Sequence, residues 1–493
     1  MMFQNSTYPW KLIILMAVNN LFLYFVLFSP PSYMPQLIHK YGVSWADVGK
    51  SYGLFGGLLF GAVGIGNLAS SIIMTTWNNK YCLILMEALL GLCLIIFGFN
   101  ESLVYVYINS VFIGVFLSVT AASKVIVYNM STPETEQHIA LWTFSGPCIL
   151  GQVIGPSLAG IVSFPANNFP SQFNQTSFFG RYPTLLINLI YGVGLLVLSL
   201  TAFVILPTDN ELKNYVRTYG DDLNEKTCLI PQKNHVGQQI GISSPTTENT
   251  STKRTFIDLL RLIWKQILTD RSTILSIVLF AGYILLNDVY INLLPLWLQT
   301  PKSLYGREYG TDEVGYLLMA SGLGFILMNY TVISHLNRKL SPKTSCAIWS
   351  LALIFLTVCI SLLGYIEDEK CFFALCIIFN CCIMSAMSGC LTTCQVLLQR
   401  SVEPEAAAMV IGFSQIVNMM TSAVGNYLIG VTFSWSLTNV DTYSHRTGYP
   451  FGYHFSFVVS GFAYILVYMP LLGIGERMEK QSDDTTDFVH LQV

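Results

Sequence analysis

Asp288 is the residue of this 493-residue chain best placed to do chemistry. It lies in the stretch Leu285, Leu286, Asn287, Asp288, Val289, Tyr290, near the middle of a long apolar run. An ionised carboxylate there is costly, so it must face a wet cavity, find a partner or take up a proton. It could equally attract a cationic group, or serve as a hydrogen-bonded acid at a helix contact. Lys124 is the only basic residue inside an apolar run, within Ala121, Ala122, Ser123, Lys124, Val125. It could receive an anion or pair with an acid. It also lies close enough to the end of its run for the ammonium to reach the interface along its flexible stem. Glu87 is near one end of another run, where snorkelling or a structural pair is expected.

Neutral polar groups are scattered through other apolar runs. Asn19 and Asn20 interrupt the first, and Gln152, Asn287, Asn380, Gln395, Gln415 and Asn418 follow in later ones. Buried amides cost free energy unless paired. They suit the lining of a polar cavity or hydrogen bonds between helices equally well. Tyr24, Tyr283 and Tyr290 could wall such a cavity, although packing is the plainer role. Gly151, Gly155, Pro156 and Gly160 suggest mechanics instead. Glycines at this spacing let another helix approach closely, and proline removes an internal hydrogen bond and bends its own helix. Cys376, Cys381, Cys382, Cys390 and Cys394 sit in apolar sequence, unlike a secreted disulfide framework. Cys390 and Cys394 are one turn apart and could share a face, but no His is near them, so neither a metal nor a cofactor is expected.

The elements that must hold these residues follow from composition. Only 11% of the chain is charged, against 53% hydrophobic and 13% aromatic, and the mean hydropathy is +0.54. A soluble domain carries about 25% charge. A chain so poor in charge cannot cover a water-facing surface, which excludes a soluble enzyme, a nucleic-acid binder and a disordered scaffold. The net charge of -3 indicates neither an acidic nor a basic partner. A membrane-crossing helix needs roughly 20 apolar residues. Twelve such runs are present, at 12–34, 52–74, 81–99, 104–128, 142–164, 184–207, 272–298, 313–335, 344–365, 371–398, 405–434 and 452–474. They are too long for barrel strands, and helices alone satisfy their backbone in lipid. The first run is too long for a signal peptide and lacks a small-residue cleavage site, so it reads as a membrane helix.

The expected fold is therefore an all-α integral membrane protein with twelve transmembrane helices in two six-helix bundles. The bundles span 1–207 and 272–474, joined by a central loop at 208–271 and followed by a tail at 475–493. The middle of the loop, 234–252, is rich in Gly, Ser, Thr and Asn and is expected to be disordered. At 255–270, apolar residues recur at helical spacing, which predicts an amphipathic helix on the inner leaflet. With both termini cytoplasmic, inner segments hold 17 Lys and Arg, nine of them in the central loop, against seven in outer segments. That excess supports the orientation. Asn174, Gln175 and Thr176 form a glycosylation sequon in the longest outer loop of the first half. Sequons at Asn5 and Asn249 lie on the expected inner side.

Six helices, a long inner loop and six more helices suggest a duplicated transporter with a solute site at the midplane. No phosphate-cradling loop, Arg-rich voltage sensor or selectivity-filter sequence is present in the chain. The residues themselves then become recognisable. Gly151, Gln152, Val153, Ile154, Gly155, Pro156, Ser157, Leu158, Ala159 and Gly160, running on to Pro165, resemble the Gly-Pro antiporter motif of the major facilitator superfamily. Phe179, Gly180, Arg181, Tyr182 and Pro183 resemble its approach to the sixth helix. Tyr305 and Gly306, then Thr311, Asp312, Glu313, Val314 and Gly315, resemble its approach to the eighth, and Ser321, Gly322, Leu323 and Gly324 follow. Gln415, Asn418, Gly425, Gly430, Phe433, Ser434, Trp435 and Ser436 resemble the eleventh helix and its exit. The chain is most similar to the drug:proton antiporter branch, and within it to the zinc-induced-facilitator-like carriers. The likeness extends over residues 40–475 apart from the central loop. It implies the major facilitator fold, an acid at Asp288 and a basic residue at Lys124.

Two departures accompany the likeness. The family's loop between the second and third helices carries Asp-Arg-x-Gly-Arg-Lys. Here Thr75, Thr76, Trp77, Asn78, Asn79 and Lys80 occupy it, so only the last charge remains. The Arg of the fourth helix falls at Ser110. The leading expectation is a secondary active transporter for a small solute (organic ion, drug or metal chelate), coupled to protons by antiport, embedded in a lipid bilayer and acting as a monomer. The alternative is a receptor or scaffold on a carrier fold, which the missing loop charges favour. No nucleophile–base spacing supports an enzyme.

Overall fold

The computed structural model describes residues 10–120, 123, 126–127, 134–208, 211, 271–402, 404–442 and 452–473. Lys124, Asn5, Asn249, the amphipathic segment 255–270, the disordered-loop expectation at 234–252 and the tail 475–493 lie outside them. Among the described residues every regular element is helical. α1 is Trp10–Phe28, continued after a break by Pro30–Lys40. α2 is Trp45–Thr76, α3 Asn79–Gly98, α4 Leu103–Leu117, α5 Glu134–Val162 and α6 Leu185–Ile205. α7 is Arg271–Gln299, α8 Thr311–Met328, α9 Pro342–Leu362, α10 Glu369–Arg400, α11 Pro404–Thr442 and α12 His454–Gly473.

Ten helices among the described residues are long and apolar enough to cross a membrane. Leu103–Leu117 and Gly146–Val162 are shorter apolar helices at the fourth and fifth runs. Several boundaries differ from hydropathy, and α5 begins earlier, at Glu134, while α11 runs on to Thr442. The first run breaks at Ser29, because Pro30 and Pro31 bring no backbone N–H and fit only the first turn of a new helix. The Ser29 hydroxyl closes the break onto the Phe25 carbonyl. α2 begins at Trp45, earlier than expected, since Asp47 and Lys50 mask its first turns. α4 is continuous only to Leu117.

Helices of the first set pack mainly on one another, α3 on α6, α1 on α5 and α2 on α4. In the second set α9 lies on α10 and α12, and α7 on α12 and α10. The two sets meet along α2 with α11 and α5 with α8. Glycine makes both crossings possible. A Cβ on Gly53 would stand 2.6 Å from the Asn426 carbonyl oxygen, and one on Gly160 2.5 Å from the Thr311 carbonyl oxygen. Asn168 clasps the second crossing, its amide nitrogen, with two N–H groups to give, within reach of the carbonyls of Gly160 (3.2 Å), Ile161 (3.1 Å) and Ser163 (2.8 Å) and of Thr311 Oγ1 (3.1 Å). These contacts lie toward the face carrying exposed Asn174. Toward the opposite face the contacts loosen. The nearest atoms to a Cβ on Gly64 of α2 would be side-chain atoms of Met419 and Met420, at 3.4 Å, and a Cβ at Gly146 of α5 would meet nothing within 4 Å.

Loops on the Asn174 face are tied by charge. Arg181 pairs with Glu101 at 2.9 Å, and the Tyr182 hydroxyl donates to the same oxygen at 2.7 Å. The Tyr182 hydroxyl and the Arg181 guanidinium hold the Glu101 carboxyl below the usual carboxylate range. Lys302 pairs with Glu369 at 2.5 Å. Arg307 donates to the carbonyls of Leu363, Gly364 and Ile366 and lies 3.8 Å over the Phe372 ring.

Candidate functional site

Asp288 stands on α7 at the junction between the two sets of helices. It is buried, 7% exposed, and borders a narrow cavity whose far wall is made by Leu27 and Phe28 of α1 and Tyr52, Phe55 and Phe60 of α2. The α1 break at Pro30 and Pro31 closes one end of this cavity. A carboxyl of one set thus faces aromatic and aliphatic groups of the other.

Its own partners are weak. Asn287 Nδ2 donates to Asp288 Oδ1 at 3.3 Å. The Ser422 hydroxyl of α11 lies near the carboxyl without completing a hydrogen bond of ordinary geometry. The stronger bonds lie one turn further along α7. Asn292 Nδ2 donates to the Asp288 carbonyl at 2.7 Å and to Asn426 Oδ1 of α11 at 2.6 Å. Asn426 Nδ2 donates to the Ser422 carbonyl at 2.9 Å. The Tyr52 hydroxyl, from the first set, donates to Asn292 Oδ1. Asp288, Asn292, Asn426 and Ser422 therefore form a polar ring on two helices, and Tyr52 is hooked to it across the junction.

Tyr52, Asn292, Asn426 and Ser422 were not singled out in the sequence. The signal was spacing: Asp288 and Asn292, and Ser422 and Asn426, are each i,i+4 pairs on one helix face. Polar residues scored one at a time within a run do not reveal such pairs.

The other singled-out residues are dispersed. Asn19 on α1 and Asn418 on α11 are buried, and neither side chain has a hydrogen-bond partner among the described residues. Asn20 donates to Cys148 Sγ at 2.9 Å. Gln152 and Gln415 are half-buried and Gln395 is exposed on α10, and none of the three joins the Asp288 ring. Asn380 belongs to a separate network within the second set, accepting from the Tyr290 hydroxyl at 2.9 Å and donating to Ser321 Oγ at 2.7 Å. Tyr283 bonds Ser350, and Tyr24 stacks on Phe28. Glu87 is fully buried on α3 with no partner for either oxygen among the described residues.

The glycines of α5 meet two different neighbours. A Cβ on Gly151 would press on Tyr24 Cβ at 2.5 Å and one on Gly155 on Phe25 Cα at 2.9 Å, both in α1. Gly160 meets α8 in the other set. The Tyr191 hydroxyl of α6 donates to the Gly155 carbonyl at 3.1 Å, and Ser29 Oγ lies 3.3 Å from the same oxygen, so the α1 break is anchored beside Pro156. Cys390 and Cys394 pack with Cys346 of α9, with Cys346 and Cys394 sulfurs 3.7 Å apart. Among the described residues no group of three or more His, Cys, Asp or Glu is placed to hold a metal. In the loop that departs from the family pattern, Asn78 caps α3 by accepting from the Lys80 backbone N–H at 3.0 Å. At the position of the missing Arg, Ser110 bonds its own helix at the Tyr107 carbonyl, 2.7 Å away.

Comparison with known proteins supplies a wider frame. The family model described as Major Facilitator Superfamily matches residues 16–426. The chain is similar to the zinc induced facilitator-like 1 protein of Arabidopsis thaliana, 25% identical over 311 residues, covering 61% of this chain and 58% of that relative. The match thus spans somewhat over half of that relative's length. The zinc induced facilitator 1 protein of the same plant is 22% identical over 412 residues, covering 82% of this chain and 80% of the relative. Among solved structures, a bacterial homolog of the human lysosomal transporter Spinster, inward-facing and unoccupied, superposes with a TM-score of 0.65 at 12% identity, covering 97% of this chain and 99% of that one. A D-xylose–proton symporter superposes with a TM-score of 0.63 at 13% identity, covering 94% and 97%.

Proposed function

The chain belongs to the Major Facilitator Superfamily, and on that premise we propose that it is a secondary active transporter carrying a small solute by alternating access in exchange for protons. The observation that supports this most is Asp288, a buried carboxyl facing a narrow cavity at the junction of the two helix sets. A charge in that position is costly without a proton or a cation. Binding either one removes the penalty, so proton and solute compete for one carboxyl, which is the requirement of antiport. The Tyr52 hydroxyl ties that carboxyl's helix to the opposite set through Asn292, which also holds α11 through Asn426. A change in the state of Asp288 is then felt at the contact that must open and close.

In this reading the Asn174 face is outer, both termini are cytoplasmic, and the helices are closed outside. The glycine crossings at Gly53 and Gly160 form the outer seal. The inner loop lacks the charged latch expected at Thr75, and hydrogen bonds and apolar packing take its place. The carried solute is a small organic ion, drug or metal chelate. Asn19 and Asn418, buried amides with unmet hydrogen-bonding capacity, are proposed to meet the solute or water as the cavity opens. Lys124 is proposed to pair with the solute or with an acid during the cycle.

The test uses purified protein in vesicles with an imposed pH gradient and a panel of organic cations, organic anions and zinc chelates. A solute that collapses the gradient with native protein, and fails to with Asp288→Asn, supports the proposal. The loss of the latch charges favours a receptor as the second reading. Folded protein that binds a solute without moving it or protons would select that reading.

A further inference from the structure

A second cavity, of about 400 Å³, opens on the Asn174 face above the seal between the two helix sets. Its walls come from different sets. Lys40 and Trp45 line one side, and Gln299, Glu308 and Tyr309 line the other. The charges are divided in the same way, an ammonium on the first wall and a carboxylate on the second. The first wall is held in place by its own neighbours, His39 and Gly180 among the lining residues. His39 Nδ1 donates to the Val43 carbonyl at 2.9 Å and its ring stacks on Trp45 at 4.6 Å. Lys40 Nζ donates to the carbonyls of Gly180 and Arg181 at 3.2 and 3.4 Å, which leaves one of its three N–H groups to give.

The second wall carries unmet acceptors. Gln299 is 2% exposed, and its amide donates to the carbonyls of Pro31 and Ser32 at 3.4 and 3.0 Å. Its Oε1 accepts from no group among the described residues. A buried acceptor left in this state is expensive, so a donor belongs beside it. Glu308 holds a left-handed backbone conformation, φ 57°, fixed by its N–H to the Thr300 carbonyl at 2.8 Å. A bulky residue seldom adopts that conformation, and here it is accepted by a residue that brings a carboxylate to the cavity.

We propose that this cavity is a binding site for a small zwitterion of the amino-acid class. Lys40 takes the carboxylate. Glu308 and Gln299 Oε1 take the ammonium. Trp45 and Tyr309 flank an apolar or aromatic side chain. The occupant spans both walls, so it binds only while the two sets are closed on this face, and its binding favours that closed state. The site is separate from Asp288 and makes no use of its proton.

The experiment is calorimetric titration of the purified full chain in nanodiscs with L-phenylalanine and glycyl-L-phenylalanine. N-acetyl-L-phenylalanine and L-phenylalaninamide each lack one charge. Both zwitterions are expected to bind, and removal of either ligand charge should weaken binding at least about tenfold, the scale of one lost charge-assisted hydrogen bond. Glu308→Gln and Lys40→Gln, both at exposed positions, should do the same. Asp288→Asn should still bind both zwitterions, with the same dependence on the two ligand charges, which separates this site from the transport proposal. Absence of binding by both zwitterions, or equal binding by the one-ended analogues, would overturn the inference and leave Gln299 to be satisfied by water.

Discussion

Asp288 has weak partners at its carboxyl and strong ones at its backbone. That division assigns distinct roles to its neighbours. Tyr52 contributes a single hydrogen bond across the junction of the two sets, so Tyr52→Phe should cost the closed state about 0.5–1.5 kcal/mol. Asn292→Leu should cost more, because it leaves both the Tyr52 hydroxyl and Asn426 Oδ1 without their partner. Cysteine accessibility on the Asn174 face measures this directly. Labelling there should rise modestly with Tyr52→Phe and strongly with Asn292→Leu; equal labelling in both variants and the native chain would remove the ring from the closure. Asp288 was legible in the sequence because one acid in an apolar run has few explanations. Asn292, Ser422 and Asn426 were not, because amides and hydroxyls occur throughout membrane helices and only the packing of α7 against α11 brings these three together.

Elements show the same division between what a residue type announces and what its neighbour decides. The glycines of α5 were visible as places of close approach, but Gly151 and Gly155 meet α1 whereas Gly160 meets α8. Their substitutions should therefore differ in kind. Gly155→Leu presses into the α1 backbone beside the anchored break at Ser29, within one set, and should lower stability by about 1–3 kcal/mol or more through overpacking. Gly160→Leu presses on Thr311 and Gly315 in the other set, and should block closure on the Asn174 face with a smaller effect on thermal unfolding. Melting temperature and face-specific labelling together separate the two outcomes. Identical profiles for both variants would contradict the assignment. The break in α1 escaped hydropathy because the strongly apolar first segment dominates any window averaged across it, while Pro30 and Pro31 reset the backbone at a single point.

At the scale of the molecule, composition was enough to exclude a soluble protein, and the twelve apolar runs correspond to the apolar helices observed. Which helices form the junction was not legible, since every run is similarly apolar and contact between α2 and α11 rests on glycines and small residues distant in sequence. The orientation has its own test. Asn174 is exposed in its loop, and the outer assignment predicts glycan addition there in a secretory-pathway host, lost in Asn174→Gln. A tag in the same loop that proved cytosolic would reverse the topology.

The central claim is that one buried carboxyl couples protons to a solute, and proton movement in vesicles tests it most directly. Native protein under an imposed pH gradient should dissipate that gradient when its solute is supplied. Asp288→Asn, folded and inserted to the same extent, should leave the gradient standing. Equal dissipation by both proteins would contradict the account, because proton exchange would then proceed without Asp288.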